Sequence, residues 1–257
     1  METLRKTHRA QNTLTMQTIV LCLAAFFASM LNAGAGGGSF ITFPALVYSG
    51  YSLTAANAIS TVALFPGALS SAWGFRNSLN ETVGKLIIFA LLSCLGSIAG
   101  TYLFLWTDEA QLKKLIPGLI LFATVLIYFK DRIKSLKAEP NPYIVYPLQF
   151  LVGIYGGYFG GGMGIMMIAV FSLYGMKDFL QINALKSILG FSINLVAATI
   201  FIIQVDLPWP TVLSMIGASI LGGYAGARVM YRLSEKTVRT FIVVVGVVSA
   251  VLTWVGM

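Results

Sequence analysis

Apolar runs recur along almost the whole chain, most of them long enough to cross a bilayer, which takes roughly 20 predominantly apolar residues. The long runs are 16–32, 55–73, 83–106, 111–128, 143–159, 180–203, 209–231 and 238–254. Two short ones, 39–50 and 163–175, follow the first and the fifth. With 57% hydrophobic and 10% charged residues, the chain holds more apolar side chain than one water-soluble core can hide, since soluble domains carry about 25% charged residues. A mean hydropathy of +0.83 agrees. The expected architecture is an all-α integral membrane protein in contact with the lipid bilayer.

The formal charge of +8 raises nucleic acid as a partner, but the pattern excludes it. Lys and Arg lie between the apolar runs, where they orient segments in a bilayer, and no basic stripe with interleaved aromatics is present. Cys22 and Cys94 both lie inside apolar runs and form neither a disulfide framework nor a metal pattern. No cofactor is expected.

The two halves repeat. A shift of 126 residues places Asn57-Ala58-Ile59-Ser60-Thr61 on Asn183-Ala184-Leu185-Lys186-Ser187, Leu95-Gly96 on Leu221-Gly222, Gly100 on Gly226 and Glu109 on Glu235. A shift of 124 places Gly36-Gly37-Gly38 on Gly160-Gly161-Gly162. Several matches in order over such a length are the signature of an internal repeat. The chain therefore divides into a polar N-terminal tail (1–15), a first transmembrane repeat (16–129), a polar linker (130–142) and a second transmembrane repeat (143–257). Each repeat has four apolar segments, the first of them broken at a Gly-rich loop. A cleaved signal peptide is the other reading of the N-terminus. The first segment has an internal counterpart before Gly160, so it is expected to be retained.

Two orientations follow. If all eight segments span and the halves run parallel, Lys and Arg divide nine against seven across the membrane. If each Gly-rich break is the tip of a hairpin that enters and leaves by one face, the halves are inverted and the split is eleven against five, Lys186 aside. The positive-inside rule favours inverted repeats, with Arg228, Arg232, Lys236 and Arg239 inside beside the linker.

Adjacent glycines are poor helix interior, and irregular backbone at membrane depth is tolerated only when buried in protein or lining a watery cavity. Paired Gly-broken segments in matching positions of two halves point to a transporter binding site. The half-helix after each break begins with free N–H groups and the positive end of a helix dipole, which suits reversible binding of an anion. Candidate substrate-binding residues are Gly36, Gly37, Gly38 and Ser39 at the first break and Gly160, Gly161, Gly162 and Met163 at the second. Close helix packing is the competing role of such glycines, and it is the one assigned to Gly96, Gly100, Gly222 and Gly226. No Lys-Ser/Thr follows either run, so a nucleotide P-loop is excluded.

Polar residues inside the apolar runs complete the candidate set. Asn32, Asn57, Asn183 and Asn194 occur there with Thr42, Ser60, Thr61 and Ser187. Asn57 and Asn183 hold equivalent repeat positions. They either donate to a bound oxyanion or tie down the broken backbone, or else act as interhelical glue. Lys186, whose repeat mate is Ser60, is an anion contact or charge-coupling residue, or it snorkels to the interface. Arg76, after Trp73, reads as an interfacial anchor. The single histidine, His8, in the polar tail, cannot supply a catalytic dyad or a metal cluster. No two acids share an apolar run, so an enzyme is not expected.

The stretch Gly34-Ala35-Gly36-Gly37-Gly38 through Pro44, then Asn57-Ala58 to Thr61, resembles the first half of the TauE/SafE (sulfite exporter, TSUP) family of membrane transporters. The run from Gly153 through Gly160-Gly161-Gly162-Met163-Gly164 to Met167 resembles the second-half motif of one branch. Asn183-Ala184-Leu185-Lys186 and Gly222-Gly223-Tyr224-Ala225-Gly226-Ala227-Arg228 continue it. Ala169 stands where the second repeat could have matched Pro44. The resemblance implies a multi-pass protein of the cytoplasmic membrane that transports sulfite, sulfonates such as sulfoacetate, or related small organic anions. It leaves the coupling ion open between H+ and Na+. A passive channel is the alternative function. Glycine runs of this kind are also compatible with a homodimer.

Overall fold

The computed structural model describes residues 2–34, 36–79, 83–129, 141–176, 178–233 and 235–256; of residues 2–14, 83–85, 142, 235, 236, 238 and 256 only the backbone is described. Among these residues the chain is entirely helical, with ten α-helices and one short 3-10 turn. In chain order they are α1 (Glu2–Gly34), α2 (Ser39–Tyr48), α3 (Leu53–Gly74), the turn Arg76–Ser78, α4 (Val83–Trp106) and α5 (Glu109–Tyr128) in the first half. The second half has α6 (Pro142–Tyr158), α7 (Met163–Leu173), α8 (Phe179–Gln204), α9 (Trp209–Met230) and α10 (Glu235–Gly256). Residues 130–140 of the linker and the side chains of His8 and Glu235 lie outside what is described.

Among the described residues six helices are long and apolar enough to cross a membrane, the pattern of a multi-pass membrane protein. Eight long segments were expected. The remaining two, α6 with 17 residues and the apolar part of α10 at Arg239–Val255, are each about 25 Å long at 1.5 Å per residue. Local chemistry sets the helix ends. Ser52 accepts from the Ala55 N–H, Asp108 from Gln111 and Asp178 from Leu180 and Gln181, each satisfying orphan donors of a first turn. Glu109 Oε1 reaches back across the bundle to accept from the Leu53 N–H at 3.1 Å, so the start of α5 also caps α3.

The outer faces stay apolar, with Leu91, Leu221 and Val251 well exposed. The interior is closed by small residues and by hydroxyls bonded across helices. A Cβ on Gly226 would lie 2.6 Å from Met30 Cα, and one on Gly222 would lie 2.8 Å from Phe26 C, so α9 packs backbone to backbone along α1. Gly96 and Gly100 do the same for α4 against Phe150 and Ile154 of α6. These four glycines act as expected, and because they are used inside the chain they give no argument for a homodimer. Ser97 Oγ donates to Ile193 O (2.8 Å), Thr101 Oγ1 to Gly157 O (3.1 Å) and Ser71 Oγ to Gly223 O (3.1 Å), each tying neighbouring helices together.

The main helix contacts come in matched pairs that exchange the halves. α1 packs on α9 as α6 packs on α4, and α3 on α9 as α8 on α4. α2 packs on α10 as α7 packs on α5, while α3 meets α8 and α5 meets α10. Residue numbers rise together along α1–α9 (26 with 222, 30 with 226), so those helices run parallel. They run in opposite senses along α5–α10, where Thr124 meets Gly246 while residues 114–121 share a groove with 247–255. α2 doubles back on α1: Gly38 packs on Ala28 and Asn32, and its N–H donates to Asn32 Oδ1 at 2.7 Å.

Candidate functional site

The two Gly-rich breaks meet. Gly36 adopts φ +78°, in the left-handed region open to glycine, and a Cβ there would lie 2.6 Å from the Cα and 2.8 Å from the N of Gly164. The first break therefore rests directly on the first turn of α7. Gly160 and Gly162 also have positive φ. They make the tight reversal between α6 and α7 that a side-chain-bearing residue would strain.

A cavity of about 30 Å³ sits where the breaks cross. The first half contributes Asn32 from α1, Gly36 from the break, and Ala68 and Ser71 from α3. The second contributes Met163, Gly164 and Met167 from α7, and Lys186, Ser187 and Asn194 from α8. Ser187 and Asn194 are seven residues apart, which puts them on one face of α8. The volume admits a water molecule or so, so an anion enters only if the helices around it part.

Lys186 is the one described cation inside this region. It is 3% exposed, and its Nζ donates to Ala33 O at 3.0 Å and Asn183 Oδ1 at 2.7 Å. Ala33 lies in the last turn of α1, whose final carbonyls lack intrahelical donors and carry the negative end of the helix dipole. The ammonium supplies both a donor and a countercharge. It points inward, so snorkelling is not the geometry adopted. The opposite half has a neutral version of the same joint: Asn57 Nδ2 donates to Tyr158 O, the last residue of α6, at 3.0 Å. Each broken helix is thus held at its carbonyl end by a donor from the third helix of the other half. Tyr155 adds a strut at the second break, its hydroxyl donating to Gly161 O at 2.6 Å.

Of the residues singled out in the sequence, Gly36, Met163, Lys186 and Ser187 line the cavity. The others lie around it in different roles. Gly37 packs on Ile242 and Phe40, Gly161 on Phe159 and Phe40, and Gly162 on Ala123. Gly38 is bonded to Asn32, and Ser39 opens α2 with no side-chain cap at that N-terminus. Asn183 Nδ2 donates to Phe179 O while its oxygen receives Lys186. Ser187 Oγ donates to Asn183 O, and Thr61 is half-buried on α3 away from the cavity lining. The two half-helix N-termini are not equivalent: α7 presents its first turn to the cavity and α2 does not.

Ser71 and Gly164 line the cavity without a signal read from the sequence, and so do Asn32 and Asn194, noted there as amides in apolar runs but given no specific role. Asn194 is 8% exposed, and among the described residues its amide makes no hydrogen bond. The amide is therefore available to water or a ligand in the cavity. Its signal was visible as an amide deep in a long apolar run. Its repeat mate is Ala68, however, so repeat symmetry did not point to it. Among the described residues no group of His, Cys, Asp and Glu is arranged to hold a metal ion.

Comparison with known proteins agrees with this architecture. The chain is 28% identical over 229 residues to a probable membrane transporter protein of Haemophilus influenzae, covering 88% of this chain and 89% of that one. It is 26% identical over 255 residues to the probable membrane transporter protein YfcA of Escherichia coli K12, covering 93% and 94%. It is 24% identical over 234 residues to the probable membrane transporter protein ORF9 of a Sinorhizobium species, covering 90% of each. The profile described as sulfite exporter TauE/SafE matches residues 21–253, and by that match the chain belongs to the sulfite exporter TauE/SafE family.

Proposed function

We propose that this membrane transporter is a secondary carrier of small sulfur-containing anions, sulfite or sulfonates such as sulfoacetate, or of related organic anions. The observation that carries the reading is the cavity at the crossing of the two breaks. One wall brings the Lys186 ammonium, another the Asn194 amide, which makes no hydrogen bond among the described residues, and a third the positive end of the α7 dipole at Met163 and Gly164. An oxyanion needs this combination, a countercharge with several donors. In this form Lys186 is held by Ala33 O and Asn183. A bound anion competes for the same ammonium and so loosens the grip on the end of α1. Binding is thereby linked to the joint that holds one broken helix.

The working cycle is alternating access, and the residues named for the site at both breaks take part as ligands or as the frame that presents them. The antiparallel α5–α10 pair and the folding back of α2 on α1 support inverted halves. That arrangement places the linker, Arg76 and Arg228 on one side, cytoplasmic by the positive-inside rule. A passive channel fits less well, because the cavity is only water-sized. H+ and Na+ are the candidate coupling ions, and the cytoplasmic membrane is the proposed location.

The test is uptake of labelled sulfite, sulfoacetate and a plain carboxylate into proteoliposomes, with and without a proton or sodium gradient. Saturable, gradient-dependent flux of the sulfur anions is expected. Non-saturable flux would favour a channel, and no flux of any of the three from folded protein would remove the substrate assignment.

A further inference from the structure

A second cationic feature lies outside the cavity, where α3 and α9 end together. Gly74 at the end of α3 packs on the side chain of Ala227, which brings Arg76 and Arg228 to one seam. The Arg76 guanidinium carbon sits 5.0 Å from the centroid of the Trp73 ring, and Nη1 donates to Trp73 O at 3.1 Å. The Arg228 guanidinium carbon lies 5.2 Å from the Tyr224 centroid, and its Nε and Nη2 both donate to the Tyr224 hydroxyl at 3.2 and 2.9 Å. Both guanidiniums therefore sit at the same end of the packed α3–α9 pair. Beside them Tyr231 bonds Ser78 at 3.0 Å and packs its ring on Phe75. Among the described residues neither arginine makes an ion pair.

The surface leading up to this point is apolar and exposed. Leu69, Trp73 and Arg76 recur at spacings of four and three along the end of α3, and Leu221, Tyr224 and Arg228 at three and four along α9, so each set is one helical face. Leu69, Trp73, Leu221 and Tyr224 are all exposed. Each face thus runs from aliphatic through aromatic to guanidinium, the order of acyl chain, interface and headgroup in a leaflet. Two guanidiniums presented together without a protein carboxylate match the oxygens of a phosphate.

We propose that this seam binds an anionic glycerophospholipid, its phosphate held between Arg76 and Arg228 and its chains along Leu69 and Leu221. The occupant is a lipid and not a soluble anion because the cations sit at the top of a lipid-facing strip and not at the mouth of a polar passage. The site tethers the ends of α3 and α9, the two first-half and second-half helices joined near the cavity by the Ser71–Gly223 bond.

Native mass spectrometry of the purified full chain, titrated with phosphatidylglycerol or phosphatidylcholine of identical chains, tests it. Wild type is expected to prefer the anionic lipid by about thirtyfold, from two arginines acting near a headgroup, and R76Q/R228Q to lose most of that preference. Unchanged preference in the double variant overturns the proposal. Two measurements on unaltered arginines guard against a folding defect. Soluble glycerol phosphate at millimolar concentration must leave the bound lipid in place; displacement would assign a site for soluble anions. Phosphatidylglycerol brominated near the headgroup must quench Trp73, seen as fluorescence quenching that W73F removes, and equal quenching in W73F overturns the placement.

Discussion

The contact between the breaks can be perturbed with one methyl group. In Gly36→Ala the new Cβ would lie 2.6 Å from Gly164 Cα and 2.8 Å from its N, where unstrained carbon contacts are about 3.5–4.0 Å. The shortfall is about 1 Å, and the obstructing atoms are backbone, so the two breaks must separate. Alanine at φ +78° also incurs the left-handed penalty of about 1–2 kcal/mol. Gly50 separates the two effects. It has φ +91°, and a Cβ there meets nothing within 4 Å, so Gly50→Ala incurs the backbone penalty alone. Initial uptake rates in proteoliposomes, normalised to inserted protein with helix content checked by circular dichroism, should fall at least about tenfold for Gly36→Ala, because displacements of about 1 Å at a binding constellation have effects of that order. Gly50→Ala should stay within about twofold of wild type, as exposed substitutions do. Equal losses in both variants would mean that backbone strain, not the crossing of the breaks, matters. Normal transport in Gly36→Ala would refute the crossing as the working site.

Three further outcomes follow from the same geometry. Lys186→Gln keeps a donor for Ala33 O but removes the charge, and a charge-assisted bond is worth about 1.5–3 kcal/mol; the apparent KM for the anion should rise about ten- to hundredfold with insertion retained, read from concentration dependence of uptake. Asn194→Ala removes an amide that makes no hydrogen bond among the described residues, so thermal stability should hold while the apparent KM rises about three- to tenfold, one hydrogen bond's worth. Asn57→Ala does the opposite: it leaves Tyr158 O without its donor, lowering stability by about 1–3 kcal/mol in a detergent melt, with substrate affinity less affected.

Much of this arrangement could be read from the chain, and the reasons for the remainder are specific. Helix number, the two short helices and the positions of the breaks follow from run length and glycine clusters, which are local properties. Lys186 stood out because an ionisable residue inside an apolar run is rare. Its partner could not be read, because Ala33 is 153 residues away and any carbonyl looks alike in sequence. What the triple glycines pack against was not legible in the sequence. Gly37, Gly161 and Gly162 give up their side chains to Ile242, Phe159 and Ala123, and only through-space packing shows that. Asn194 was under-read for a different reason: its repeat mate is Ala68, and the cavity uses the two halves unequally.

The central claim is that the transported anion occupies the crossing of the breaks, and Ala68→Cys in a Cys22→Ser/Cys94→Ser background tests it directly. Ala68 lines the cavity and is only partly buried. During transport in proteoliposomes a small anionic thiol reagent should label Cys at 68, and sulfoacetate should slow labelling with a half-maximal concentration equal to its transport KM. Labelling that saturating sulfoacetate leaves unchanged while uptake proceeds would place the anion elsewhere and contradict the account.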